Sequence, residues 1–274
     1  MKQGLGNSVF RPSYDKNRSN LIISLTSTKK RLKFIIPPLT SLIRQTKKAD
    51  LIVLWLGSGI SYPEDIISRI KGMGIDIRYR EDLGPYTKYY YAFREFKDDL
   101  IITADDDVIY DAKMVEELYR GYLCNKNLIT ARRVHKIRFY ADRKPVKYND
   151  WIWEYRDQEE PAHDLFATGV GGVIYPPGVT SLKIWENRDF LTVCPNADDI
   201  WLKFCELSND IRVCPVKGSR FHYDVVIRKA QKYGLSQKNI NKGSNDAFLE
   251  KCAEYFGMKD DLCERVLDLQ NSRL

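Results

Sequence analysis

Blocks of consecutive apolar residues alternate, over the first 125 positions, with stretches whose apolar residues recur every three or four places. Leu21 to Leu25, Leu51 to Leu56 and Leu100 to Ala104 are blocks of the first kind. Each is about one strand long and runs into polar or glycine-rich residues: Thr26-Ser27-Thr28, Gly57-Ser58-Gly59 and Asp105-Asp106-Asp107. They read as buried strands, and Ile75 to Arg80 reads as another. Between the first two, residues 29–46 place Leu32, Ile35, Ile36, Leu39, Leu42 and Ile43 at helical spacing. Pro37-Pro38 in that stretch predict a kink or a restart at Pro38. Helices are also predicted over 63–70, 86–96 and about 111–123.

Strands and helices in this alternation predict an α/β fold, a mostly parallel Rossmann-like sheet with helices on both faces. Such sheets bind ligands at the carboxyl ends of their strands, where Thr26 to Arg31, Glu81-Asp82 and the aspartate run all fall. The second half is less regular. Leu128 to Ala131, Val170 to Tyr175 and Ile211 to Val216 read as strands, Asp198 to Leu207 as a helix, and 141–165 as a loop-rich insert holding Trp151, Trp153 and Tyr155. Ser244-Asn245-Asp246 can cap a helix running to about Phe256, with a second over 259–270. The expected organisation is one domain over 20–235, divided into 20–111 and 112–235. A polar extension over 1–19 precedes it and a helical segment over 236–274 follows.

A chain of 274 residues with 43% hydrophobic content can bury a sizeable core. The formal charge of +7 favours anionic partners: nucleic acid, phospholipid surface or nucleoside diphosphate. The tightest basic cluster is Lys29-Lys30-Arg31 with Lys33; a looser one joins Arg132-Arg133, His135-Lys136 and Arg138. The 17 Tyr and 5 Trp suit stacking on sugars or bases as well as core packing. None of the six Cys forms a C-x-x-C pair. No apolar run approaches the ~18 residues of a membrane span, and the N-terminus lacks a signal-peptide core. The expectation is a cytoplasmic protein with reduced thiols. Peripheral contact with a membrane's inner face, through basic and aromatic surface, stays open, as does the oligomeric state.

Three adjacent carboxylates repel one another by on the order of 1 kcal/mol per close pair, depending on the local dielectric. A fold that ends a buried strand in them needs positive charge there, and a hard divalent cation with oxygen ligands answers that need. Strand alternation puts Asp105 and Asp107 on one side and Asp106 on the other, so Asp105 and Asp107 are expected to address one ligand. The bland reading of the same run is a solvated acidic turn.

The opening strand ending in Thr26 and Thr28, followed by Arg31, Ser41-Leu42-x-x-Gln45-Thr46 and a second apolar strand, resembles the start of GT-A-fold glycosyltransferases, the family 2-like group in particular. Ile101-Ile102-Thr103-Ala104-Asp105-Asp106-Asp107 looks like that fold's D-x-D strand. Asp82-Leu83-Gly84-Pro85-Tyr86-Thr87-Lys88 is similar to the D-L-G-P-x-T-K segment of bacterial capsule and lipopolysaccharide glycosyltransferases. The resemblance covers about 21–110, with a second patch near 169–202. It implies a nucleotide-sugar donor, UDP by family habit, and a Mn²⁺ or Mg²⁺ ion. It also implies a glycan or lipid-linked saccharide acceptor. Residues 20–111 would hold nucleotide and metal, and 112–235 donor sugar and acceptor. Thr26, Thr28 and Arg31 would line base and ribose, with Asp82 beside them and Lys88 near the diphosphate or donor sugar. Asp105 would meet ribose or metal-bound water, Asp106 completes the cofactor-binding set, and Asp107 would bind the metal.

Asp198-Asp199 open a predicted helix, where the helix dipole favours carboxylates. In the resembled family an acidic pair here supplies the base that deprotonates the acceptor hydroxyl, help worth ~10²–10⁴-fold. Asp199 is preferred over Asp198, and in-line attack from that side would invert the anomeric centre. Gly169-Val170-Gly171-Gly172 would border the donor sugar, and Trp185 with the 151–155 cluster could stack on the acceptor, though core packing is expected for at least one of these rings. His222 is a candidate further metal ligand. Two alternatives remain. A nucleotidyltransferase would want a glycine-rich loop after the first strand, where Thr26 to Arg31 has no glycine. A non-enzymatic basic nucleic-acid-binding protein lacks any recognised motif, and its phosphates would meet the aspartates; no nucleic-acid partner is expected.

Overall fold

The computed structural model describes residues 9–157, 160–178, 183–233 and 244–271. The apolar blocks are strands: β1 (Leu21–Thr26), β2 (Leu51–Gly57), β3 (Asp76–Arg80) and β4 (Leu100–Thr103). They are followed by β5 (Val108–Ile109), β6 (Ile129–Ala131), β7 (Val134–Lys136), β8 (Leu165–Ala167), β9 (Val173–Tyr175), β10 (Val213–Pro215) and β11 (Val225–Val226). Seven of them form the central sheet in the order β10-β6-β9-β4-β1-β2-β3. All neighbours in it are parallel except β9, which runs antiparallel to β4 and β6. This is the expected α/β, Rossmann-like architecture. β7–β8 and β5–β11 are separate antiparallel pairs.

Because side chains alternate across a strand, each apolar block feeds two cores. Ile22, Val53, Trp55 and Ile101 face one side; Ile23, Leu25, Leu54 and Ile102 face the other. The second side is covered by α1 (Ile36–Ile43), α2 (Glu64–Gly72) and, after α3 (Thr87–Glu95), by α4 (Met114–Cys124). The first is covered by α3. Later come the short α5 (Lys183–Glu186) and α6 (Phe190–Val193), α7 (Asp198–Ser208), the short α8 (Arg228–Gln231), α9 (Ser244–Tyr255) and α10 (Leu262–Asn271). Of these, α7, α9 and α10 bury residues in the first core, where Trp201 meets Phe256 with ring centroids 5.0 Å apart.

The helix expected over 29–46 divides into a 3₁₀ turn, Leu32–Phe34, and α1. Pro37 and Pro38 sit in the first turn of α1, where no intrahelical donor is needed, so they start the helix instead of kinking it. The expected strand over 170–175 is shorter, because Gly169–Gly171 form a 3₁₀ turn before β9. The loop-rich insert reaches β8, and its residues 158–159 lie outside the described residues. So do 1–8 of the expected extension and 236–243 and 272–274 of the expected C-terminal segment. Within the rest of the extension, whose other residues are exposed, Phe10 is the anchor. Phe10 is buried, its N–H donates to Met73 O (2.7 Å), and its carbonyl lies where a Cβ on Gly74 would sit, 1.9 Å away at a φ of +82° that suits glycine. At the amino ends of the strands, Asp50 accepts from Leu21 N (2.8 Å) and Asp99 from Asn20 N (2.8 Å), which leaves the carboxyl ends to the cleft.

Candidate active site

The carboxyl ends of β1 and β4 lie side by side, Ser24 paired with Thr103, so the residues following each strand meet. A cleft of about 430 Å³ opens there. Thr26, Thr28 and Arg31 line it from the loop after β1, and Asp105, Asp106 and Asp107 from the turn after β4. Asp82 and Lys88 line it from the segment before and within α3. Local bonds fix that segment. Asp82 Oδ1 accepts from Gly84 N and Thr87 Oγ1 from Leu83 N, both at 2.9 Å. Ser24 Oγ donates to the Lys88 carbonyl (2.6 Å) while accepting from Trp55 Nε1 (2.8 Å). The first strand thereby sets the position of Lys88.

The chain's own cations already pair with the aspartates. One nitrogen of Arg31, Nη2, lies 2.5 Å from Asp106 Oδ1 and 2.8 Å from Asp107 Oδ2. Ser27 Oγ donates to the other oxygen of Asp106, and Gln231 Nε2 to Asp107 Oδ2 (2.9 Å). Lys88 Nζ, almost wholly buried, lies 2.5 Å from Asp105 Oδ1 and 3.8 Å from Asp198 Oδ2. Strand alternation therefore does not describe the run: β4 ends at Thr103, the aspartates turn, and Asp106 joins Asp107 on Arg31 while Asp105 takes Lys88. Asp105 and Asp107 remain close enough that the charge of one raises the pKa of the other.

Burial pushes Asp106 up to about 6, against the pull of Arg31 and Ser27. Burial, then Asp105, raises Asp107. For Asp105 burial acts the same way, but Lys88 outweighs it and holds the carboxyl below the ordinary range. Lys88 is the mirror case: burial would lower it, and Asp105 and Asp198 together keep it raised and charged. These directions describe a site with more negative charge than its surroundings readily carry.

Across the cleft, α7 begins with Asp198 and Asp199. Both carboxyls are raised by burial, Asp199 further, with Asp198 the next cause. Both Asp199 oxygens face the Gly169 N–H, at 3.1 and 3.2 Å. A Cβ on Gly169 would stand 3.1 Å from Asp199 Oδ1, and one on Gly171 2.6 Å from Arg133 Cβ, so the glycine segment lets backbone approach both side chains. The remaining wall is aromatic, with Trp153, Tyr148, Phe166 and His135. The His135 ring centroid lies 4.6 Å from that of Trp153. Burial and then Arg133 push His135 down to about 3, and its Nδ1 accepts from Glu154 N (3.0 Å), as a neutral imidazole must.

The fold thus gathers into one cleft ten of the eleven residues named from sequence as catalytic, donor-binding or metal-binding. His222 is the exception. It is exposed beside Tyr223, ring centroids 4.1 Å apart, and is absent from the cleft lining among the described residues. Trp151 and Trp185 are buried in the core, and Trp153 alone of the predicted stacking tryptophans reaches the cleft. Ser27, Gln231, Arg133 and His135 were not singled out for the site. Ser27 stands between two residues that were, and its Asp106 bond is readable only once the turn is known. Gln231 carried no sequence signal.

A divalent ion is tested by the donors. Oδ2 of Asp105 and Oδ1 of Asp107 receive no hydrogen bond among the described residues, and both are hard oxygens. No group of three or more His, Cys, Asp or Glu side chains is assembled around one point among the described residues. Mg²⁺ and, by the same oxygen preference, Mn²⁺ use one or two carboxylates with water and substrate phosphate, so the donors fit such an ion. They do not form a closed protein cage. Arg31 Nε is buried without a partner among the described residues, a donor that an arriving anion would satisfy.

No protein-family model matches the sequence, and no curated protein matches it. Among solved structures, two of glucosyl-3-phosphoglycerate synthase from Mycobacterium tuberculosis are similar over 44% of this chain at 14% identity, with TM-scores of 0.35 and 0.34. One holds Mn²⁺, UDP and phosphoglyceric acid; the other holds Mn²⁺, UDP-glucose and phosphoglyceric acid. The match spans 48% of that enzyme, about half its length. 4-Diphosphocytidyl-2C-methyl-D-erythritol synthase is similar over 79% of this chain and 98% of its own, at 8% identity and a TM-score of 0.47.

Proposed function

We propose that the chain is a glycosyltransferase, moving a sugar from a nucleoside-diphosphate donor, UDP by family resemblance, to a hydroxyl of a glycan or lipid-linked acceptor. One observation carries the reading. Three carboxylates at a strand end, Asp106 and Asp107 buried and Asp105 half-buried, are paired with Arg31 and Lys88 and face a second carboxylate pair at a helix start, in one cleft.

Thr26, Thr28 and Asp82 line the base and ribose pocket, and Asp106 holds Arg31 and Ser27 in place. Asp107, with Asp105, would hold Mn²⁺ or Mg²⁺, which when bound supplies positive charge to the departing diphosphate. Lys88 adds a fixed positive charge at the same end, and Arg31 offers its unpartnered Nε to phosphate oxygen. Asp199 takes the acceptor proton. Its raised pKa makes it a stronger base near neutral pH than an ordinary carboxylate, and the Gly169 N–H holds its oxygens in place. Asp198, whose Oδ2 lies 3.8 Å from Lys88 Nζ, positions that lysine. The Trp153 wall receives the apolar face of the acceptor sugar. Attack from the Asp199 side, opposite the diphosphate, inverts the anomeric carbon.

The test is nucleotide release from a panel of nucleotide sugars with Mn²⁺, Mg²⁺ or chelator, for the wild type and Asp107→Ala. Turnover and metal-dependent donor binding should both nearly vanish in the variant. Full activity there removes the assignment, and pyrophosphate release from a nucleoside triphosphate with a sugar phosphate would make the chain a nucleotidyltransferase instead.

A further inference from the structure

Segment 225–233 crosses the mouth of the cleft. Its strand β11 pairs with β5, Ile227 N donates to Asp107 O (2.8 Å), and Gln231 and Tyr233 reach the lining. Its outward residues have two characters. Arg228, Lys229 and Lys232 are exposed, and so are Val225 (56%), Val226 (39%) and Tyr233 (44%). The loop after β1 lies beside it, since Lys33 Nζ stands 5.2 Å from the Tyr233 ring centroid. That loop exposes Lys29, Lys30 and Lys33. Neither 28–34 nor 225–233 contains an acidic residue. Six exposed cations therefore share the rim of the cleft with two valines and a tyrosine that face water.

We propose that this rim is a docking surface for an anionic phospholipid bilayer, which sets the mouth of the cleft against the membrane. The charges match the headgroups, at ~1 kcal/mol per Lys or Arg near an anionic surface. The exposed valines and tyrosine match the interfacial layer, where apolar and amphipathic side chains leave water. A soluble polyanion would use the cations and leave Val225 and Val226 exposed. The inference does not depend on sugar transfer, and its test is read without turnover.

Co-sedimentation of the full chain with vesicles of phosphatidylcholine alone, or of phosphatidylcholine mixed with phosphatidylglycerol, checks it. Binding is expected only to the mixed vesicles, and it weakens as salt rises. Lys229→Glu with Lys232→Glu should lower partitioning ~10-fold or more. Val225→Ser with Val226→Ser, which leaves every charge in place, should lower it several-fold. Circular dichroism and urea unfolding of both double variants, compared with the wild type, verify that they fold. Absence of binding to the mixed vesicles at low salt overturns the proposal. So does a serine pair that binds them as well as the wild type, which would make the rim a site for soluble polyanions.

Discussion

Residues 21–110 and residues 129–226 contribute to one sheet by different physical means. In the first stretch β1, β2 and β4 are continuous buried runs, with Ile22, Ile23, Leu54 and Trp55 wholly hidden. Apolar burial alone can hold them, at roughly 25 cal/mol per Å² removed from water. In the second the sheet strands are three residues long, and buried charges fasten them. Arg132, its side chain wholly hidden, pairs with Glu117 Oε2 and Asp224 Oδ2, each at 2.8 Å, and donates to Gly171 O (3.1 Å). Lys203 meets Glu206 at 2.9 Å and the Leu165 carbonyl at 2.8 Å. Buried pairs stabilise little over an apolar replacement, yet breaking one leaves a charge without a partner. The first stretch has long apolar runs, while the second adds matched buried charges to short apolar strands such as Ile129–Ala131 and Val173–Tyr175, and the proposed division of labour follows the same line: donor on the first, acceptor on the second.

If that division holds, Asp199→Asn should lower turnover by ~10²–10⁴-fold while leaving donor affinity nearly intact. Single-turnover rates beside nucleotide-sugar titration measure both, and collapse of donor affinity would refute the base role. Arg132→Ala should cost ~3–5 kcal/mol in denaturant unfolding, and apolar replacement of Arg132, Glu117 and Asp224 together should restore much of it. Equal losses in the single and triple variants would contradict the matched-contact account. Leu54→Ala, in the bulk-held stretch, should cost ~2–5 kcal/mol with no apolar rescue elsewhere.

The smallest expected effect concerns pH. Asp106 in the folded chain keeps its proton up to about 6, against an ordinary value of 3.8. Its contribution to stability is therefore full below about pH 4 and lost as pH rises through about 6. Relative to Asp106→Asn, the ligand-free wild type should lose on the order of 1–3 kcal/mol between those limits. Urea unfolding of both proteins at the two pH values gives the difference, and a pH-independent gap would exclude Asp106 as the titrating group.

The same contrast explains what the sequence discloses. Runs such as Leu51 to Leu56 state their structure locally, because burial on both faces needs apolar residues at every position. The strand-end chemistry follows from them, so Thr26 to Arg31 and the aspartates could be placed at strand ends before any fold was known; Lys88, on a helix, was legible only through the resemblance of residues 82–88. β7, β8 and β11 are short, and long-range pairing decides them: Val134 with Ala167 and Val225 with Ile109. The bond from Gln231 to Asp107 spans 124 positions and leaves no periodic trace. The strand-alternation argument failed for the aspartates because β4 stops two residues before Asp105, and turn geometry governs from there.

Arg31 gives the site one more property. Its guanidinium is held by the fold 2.5 and 2.8 Å from the carboxylates it bridges, so its local concentration is far above that of any dissolved ion. A lone cation approaching Asp107 must evict a competitor that cannot diffuse away. A cation arriving together with phosphate gives that competitor somewhere else to go. The pocket would therefore discriminate by company and not by the ion itself, admitting a metal mainly when its anionic companion enters with it.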